Sequence, residues 1–322
     1  MGERLGRWYF AVQALAGAGW WAAVFTLPPV REATLGGLDP VLVAAFDVPL
    51  FVVGSALVAA RVRVALWAVV PWTLLVAAVM TVYATLTERA GWGAVLMLAS
   101  AAATAFAAAL VTFGRLPGEK LLIGPFGFAI AKSTGRIPLL AQTAAQIVCF
   151  WGLFLVVLPA VIVWFEQRWR VHLALPPWFG AAGVILFVAM TVIGLWSAYT
   201  MSTIGRGTPL PSAMPRQLVI AGPYRVVRNP MAVVGIAQGV AVGMVLGSWL
   251  VIVYALCGSV IWNVLIQPHE EADLEARFGD DYRAYRDRVG VWLPRIPSVR
   301  RAEASPSATR GDPAHARARR RR

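Results

Sequence analysis

The sequence predicts an all-α protein: a polytopic bundle of about eight transmembrane helices with a cytoplasmic amphipathic helix near its C-terminus. Three observations predict it. Of the 322 residues, 59% are hydrophobic and only 14% charged, whereas soluble domains are roughly a quarter charged. Several apolar runs approach or exceed the roughly 20 residues that a helix needs to cross about 30 Å of hydrocarbon. Basic residues collect in alternate connections between those runs, as they do in multi-pass proteins.

The spans follow in order. Apolar windows lie at Trp8 to Leu27, Val41 to Ala60, Val64 to Leu86, Gly91 to Phe113, Leu139 to Phe165 and Trp178 to Thr200. A further pair, Met231 to Leu246 and Trp249 to Ile266, has almost no linker between its members. The first window begins after Arg4 and Arg7 and is too long for a signal-peptide core, so it is expected to be retained. With eight spans, Arg61 and Arg63, then Arg115, Lys120, Lys132 and Arg136, then Arg206, Arg216, Arg225 and Arg228, and finally the terminal arginines all fall on one side. The opposite connections pair their cations with acids: Arg31 with Glu32 and Asp39, Glu88 with Arg89, and Glu166 with Arg168 and Arg170. Both termini are therefore expected in the cytoplasm, and the protein in the plasma membrane.

The net charge of +13 owes much to Arg317, Arg319, Arg320, Arg321 and Arg322 in a Pro/Ala/Ser-rich tail. No aromatic residue interleaves these arginines to stack on bases. The expected partner is anionic lipid headgroups rather than nucleic acid. The segment Arg115 to Arg136 is rich in Gly and Pro and reads as a long connection. Three regions follow: residues 1–137 as a four-helix membrane region with its loop, 138–297 as a membrane core, and 298–322 as a disordered tail.

Chemistry-bearing residues concentrate in the C-terminal half. In GPYRVVRNPMAVVG, Gly222 to Gly235, Pro230 suits a helix's first turn and Asn229 is a good N-cap. That places free N–H groups and a positive dipole end beside Arg225 and Arg228. The plain alternative is a capped membrane helix whose arginines obey the positive-inside rule. Gly235, Gly239, Gly243 and Gly247 recur every fourth residue, a stripe that lets another helix pack closely.

After the last span come Gln267, Pro268, His269, Glu270 and Glu271, then Leu274, Phe278, Tyr282 or Tyr285, and Val289 at helical spacing. At least one glutamate should face the docked side of this helix. A carboxylate there needs a cation or hydrogen-bond donors, and Arg225 and Arg228 are the obvious partners. The pair could be a structural tie or part of a shared pocket for a ligand carrying both an amine and a carboxylate.

Asp47, inside the second span, is an intramembrane acid: either a functional group or a polar contact between helices. Gln142, Gln146, Gln238 and Asn263 are expected to bridge helices. His172, His269 and His315 show no metal-ligand spacing, and Cys149 and Cys257 no paired spacing, so neither a metal site nor a disulfide is expected.

These pieces in this order resemble the superfamily of isoprenylcysteine carboxyl methyltransferases and phospholipid methyltransferases. The resemblance rests on GPYRVVRNPMA at Gly222 to Ala232, the tight helical hairpin, Glu270 with Glu271, then Phe278, Gly279, Tyr282, Tyr285 and the closing Pro294. It covers Leu139 to Pro297, and the first four spans have no part in it. It implies S-adenosylmethionine bound between the arginine-proline motif and the glutamate pair, with a lipophilic substrate entering from the bilayer. Carried over by position, Arg228, Asn229, Pro230 and Met231 would line the cofactor pocket, with Glu270 and Glu271 near its polar groups. Tyr224, Arg225, Gly235, Tyr282 and Tyr285 are the further binding candidates, and Arg228, Glu270 and Glu271 the catalytic ones. The chain departs from the family at Asn229, where a histidine is usual, at Ala232, where a tyrosine is usual, and at Gly235, one residue late. Asn229 can hydrogen-bond but cannot become a cation.

The expected activity is S-adenosylmethionine-dependent methyl transfer to a small lipophilic carboxylate, lipid amine or thiol. Two alternatives remain open: an NADPH-dependent membrane reductase, with Arg206 and Arg216 for the extra phosphate, and a non-catalytic binding or assembly protein.

Overall fold

The computed structural model describes residues 2–116, 136–207 and 215–295. Lys120, Lys132, most of the Gly/Pro-rich connection and the arginine tail lie outside the described residues. Among the described residues the protein is helical and contains no strand. Helix α1 (Gly2–Thr26) is followed at a bend of 114° by α2 (Pro28–Leu35), where prolines occupy the first turn. Asp39 caps α3 (Pro40–Asp47) by accepting from the backbone N–H groups of Val41 and Leu42. A π-helical turn, Val48–Val53, leads into α4 (Gly54–Ala59). Then come α5 (Leu66–Thr87), α6 (Gly91–Phe113), α7 (Arg136–Trp151), a π segment Gly152–Val157 and α8 (Leu158–Arg168). Helix α9 (Trp178–Thr200) ends in the π segment Met201–Gly205. A 3-10 turn, Gly222–Arg225, precedes the hairpin of α10 (Pro230–Leu246) and α11 (Trp249–Ile261), and the π segment Trp262–Ile266 runs on into α12 (Gln267–Arg288).

Three of these π segments adjoin a proline: Pro49 lies within one, and Pro159 and Pro268 follow the other two by two residues. A proline cannot donate to the helical ladder, and the wider π turn is one way for the helix to pass the missing bond.

Six helical runs are long and apolar enough to cross a bilayer, or seven when α1 and α2 count as one span. The seventh expected span, α10, has only 17 residues, because Asn229 caps its start and Gly247, at φ 63°, turns the chain out of the helix at its end. Much of the apolar surface is not buried in protein: only 28% of the most apolar window of Pro40–Ala59 and 6% of that of Leu140–Arg168 is covered. Lipid must cover the rest, which makes this a multi-pass membrane protein. The long run Trp249–Arg288 counts 40 residues and as a helix is about twice the hydrocarbon thickness. Its apolar part ends at Ile266, and the charged α12 extends beyond the membrane.

Two helix groups build the molecule. In the first, α1 packs on α4 and α6 through Phe10, Val58, Ala107 and Val111, with Val69 of α5 in the same cluster. Buried Asp47 accepts hydrogen bonds from the indoles of Trp21 (2.9 Å) and Trp72 (2.8 Å), so it ties three helical segments together. In the second, α10 packs between α9 and α11. Gly183 of α9 lies against the carbonyl of Ala241, and Gly239 and Gly243 lie against Ala255 and Ile252 of α11. A cluster of Met80, Ala84, Ala94, Trp169 and Val171 joins the groups. Trp92 stacks on Trp249 at 5.5 Å, and Glu88 pairs with Arg168 and Arg170. At the other end Glu3 pairs with Arg63 at 2.9 Å.

Candidate functional site

The site forms where α9 ends, α10 begins and α11 passes into α12. Asn229 shapes it first: its Oδ1 accepts from the Ala232 N–H at 3.1 Å, closing the first turn of α10. Such a cap contributes about 1 kcal/mol. Its Nδ2 donates to Oε2 of Glu270 at 3.3 Å. Next to it, Arg228 pairs with Glu271 at 3.0 Å and donates to the Tyr282 hydroxyl at 3.4 Å. Gln267, one helical turn before Glu271, donates to the same carboxylate at 3.1 Å.

The chain after α12 holds this arrangement in place. The backbone N–H of Arg228 donates to Gly290 at 2.8 Å, and Val227 and Gly290 form an isolated parallel bridge. The Tyr285 hydroxyl donates to the carbonyl of Tyr224 at 2.6 Å. Tyr282, Tyr285 and Val289 form a buried cluster with Leu218, Leu274 and Phe278 beneath the glutamates. The left-handed backbone of Gly279, φ 51°, bends α12 so that residues on both sides of the bend join this cluster.

The electrostatics follow from enclosure. Burial, then the neighbouring charges of Glu271 and Asp273, push the Glu270 carboxyl up to about 7. Burial pushes the Tyr282 hydroxyl up to about 12, and that of Tyr224 higher still with help from Glu270. The Tyr224 hydroxyl, Nε of Arg228 and Oε1 of Gln267 are buried with no hydrogen-bond partner among the described residues. Leaving such groups unpaired costs about 1–3 kcal/mol each.

On its other side Asn229 borders a cavity of about 460 Å³ between α7, α10 and α11. Its wall is mainly apolar and includes Phe150, Trp151, Phe154, Met231, Gly235 and Trp262. Beyond its chain neighbours and its own helix backbone, no described atom lies within 4 Å of where a Cβ on Gly235 would stand. The glycine stripe therefore has several uses: Gly239 and Gly243 admit α11, Gly247 ends the helix, and Gly235 opens the cavity.

Of the residues singled out in the sequence, Arg228, Asn229, Glu270, Glu271 and Tyr282 meet in one cluster. Met231 and Gly235 line the cavity, Pro230 is buried at the start of α10, and Tyr224 and Tyr285 support the cluster from behind. Arg225 is not brought in. It is exposed, and its Nε donates to the carbonyl of Ile220, because the 3-10 turn points it away from the glutamates. Gln238 bridges α10 to Thr191 of α9 as expected, and Asn263 accepts from Trp292. Gln146 departs from the expected bridging role: it lines the cavity, and its Oε1 has no partner. Gln267 and Trp262 were not among the predicted site residues. Gln267 was signalled by its spacing of four from Glu271, whereas nothing along the chain places Trp262 opposite α7.

Comparison with curated proteins and with solved structures found no match. Residues 178–281 match the model of the phospholipid methyltransferase family, a span that starts with α9 and includes the arginine-proline motif, the hairpin and the glutamate pair. The match gives no support to a reductase. The region that builds this site is thus similar to the phospholipid methyltransferase family over about a third of the chain.

Proposed function

We propose that this protein uses S-adenosylmethionine to methylate a small lipophilic acceptor at the cytoplasmic face of the plasma membrane, with residues 138–297 as the catalytic core. Asn229 carries the reading. One side chain borders an apolar cavity within the helix bundle and hydrogen-bonds a carboxyl in a polar cluster outside it. A methyltransferase acting on lipids needs those two environments in contact.

The unpaired groups suit an amino-acid end of a methyl donor. Nε of Arg228 and the Tyr224 hydroxyl can donate to a carboxylate, while Glu270 and Oε1 of Gln267 can accept from an ammonium. When bound, S-adenosylmethionine supplies a methyl group on a sulfonium, open to in-line displacement. The chain's own contribution is to hold and to exclude water. Arg228 holds Glu271 in place, Asn229 fixes the start of α10, and Trp151 and Phe154 keep the cavity dry. A carboxylate or thiolate acceptor needs no base; for an amine, Glu270 is the group able to take the proton near neutral pH.

Calorimetric titration of S-adenosylhomocysteine into detergent-purified protein tests the reading. Micromolar binding is expected, lost in Glu270→Gln and in an Arg228→Ala variant that melts lower but is still folded, with a cooperative transition above the titration temperature. A folded wild type that binds nothing would overturn it.

A further inference from the structure

Gln146 of α7 and Trp262, the first residue of the π segment after α11, both line the cavity beside Asn229. Oε1 of Gln146 and Nε1 of Trp262 are buried and have no hydrogen-bond partner among the described residues. One is an acceptor and the other a donor. Three other polar side chains of the wall are engaged: Thr143 with Ser202 at 2.9 Å, Tyr254 as donor to the carbonyl of Phe154, and Asn229 held by Ala232 and Glu270. The cavity wall has no charged residue. It is also where two helices widen, since Phe154 and Leu155 stand in one π segment and Trp262 and Ile266 in another. Such bulges are frequent at functional sites.

We infer that Gln146 and Trp262 form the polar end of the acceptor's binding cavity and select an amphiphile whose polar group is uncharged and both donates and accepts, a hydroxyl above all. The hydroxyl proton goes to Oε1 of Gln146, and its oxygen lone pair accepts from the indole N–H. An apolar chain fills the rest of the volume against Phe150, Phe154 and Ile236. The ammonium or phosphate of a zwitterionic phospholipid headgroup finds no countercharge on this wall and is disfavoured there. The hydroxyl orients the lipid; methyl transfer takes place where Asn229 joins the cavity to the polar cluster. This selection rests on the methyltransferase reading only for its purpose, because binding is measured apart from turnover.

Dodecanol, dodecylammonium and dodecane serve as probes, titrated into the full chain in a mild detergent, with S-adenosylhomocysteine binding measured on the same samples. Dodecanol is expected to bind about tenfold more tightly than either of the others. Gln146→Leu and Trp262→Phe should each abolish that preference and leave S-adenosylhomocysteine affinity unchanged. Without added lipid, Gln146→Leu should melt at or above the wild-type temperature, because it removes an unpaired buried polar atom at nearly equal volume. A lower melting temperature would mean that this atom has a structural partner, and would overturn the inference. So would equal affinity for the three probes, or a preference that survives both substitutions. A hydroxyl preference in a protein that fails to bind S-adenosylhomocysteine would leave the cavity's selectivity standing and sink the methyltransferase reading alone.

Discussion

Arg228 and Glu271 share one contact and unequal exposure: the arginine side chain is 10% exposed and the glutamate 25%. Removing the cation leaves a mostly enclosed carboxylate with only Gln267 beside it. Arg228→Ala is expected to lower stability by about 2–4 kcal/mol, read as a fall in melting temperature, while Arg228→Lys should recover part of it. Glu270 gives a pH signature. Its carboxyl is raised to about 7 in the folded protein, so the stability of its protonated form is fully present below the carboxyl's ordinary range near 4.5 and is lost as pH rises through 7. Binding of a ligand ammonium reverses this preference, because a cation favours the ionised carboxylate. S-adenosylhomocysteine affinity should therefore fall roughly tenfold per pH unit below about pH 7. Proton release on binding, measured by calorimetry in buffers of different ionisation enthalpy, should approach one proton below pH 7 and vanish well above it. A flat pH profile would remove Glu270 from the ligand's ammonium.

Within α10, successive glycines of one stripe meet different surroundings. A Cβ on Gly243 would stand 2.6 Å from a side-chain carbon and 2.8 Å from the backbone nitrogen of Ile252, while a Cβ on Gly235 meets nothing within 4 Å. Gly243→Ala is expected to force α10 and α11 apart and to cost about 1–3 kcal/mol. Gly235→Ala should melt like the wild type, and larger residues there should weaken lipid binding by filling the cavity. The stripe was legible as a packing feature because its period of four puts every member on one helix face. Its division was not legible, because the neighbour of each glycine depends on where α7 and α11 lie. In α12, the spacing of Leu274, Phe278, Tyr282, Tyr285 and Val289 already named the cluster that forms. The wider turns at Pro49, Pro159 and Pro268 were hidden, since a proline also suits a plain helix start.

Across the whole molecule, the contacts separate into two ends of the bundle. Glu3 and Arg63 meet at one, Glu88 with Arg168 and Arg170 at the other. That agrees with alternate crossing by the charged connections. With the first end in the cytoplasm, single cysteines in place of Arg63 and Arg295 should be shielded from a membrane-impermeant thiol reagent in intact cells, and one in place of Arg170 should react. The opposite labelling pattern would invert the topology. The first four expected spans lie outside the family match, yet Trp92 stacks on Trp249 within it, and Gly91 lies against the Trp169 carbonyl, where an added Cβ would stand 2.0 Å away. Gly91→Val should therefore lower the melting temperature of the whole protein. The size of any accompanying change in S-adenosylhomocysteine affinity would measure how far the N-terminal helices support the site.

Helix class, membrane residence and the residues of the polar cluster could all be read along the chain, because hydrophobic period, span length and capping are local properties. Asp47 shows the limit. Its place in an apolar run marked it as unusual, but only the packing of α1, α3 and α5 supplied Trp21 and Trp72 and made it a structural acceptor. Arg225 and Arg228 were both candidate partners for the glutamates, three residues apart, and the 3-10 turn separated them, sending one to solvent and one to Glu271. The cavity was invisible along the chain. Its walls come from α7, α10 and α11, and the unpaired state of Gln146 and Trp262 is a property of what surrounds them, which only the packed helices decide.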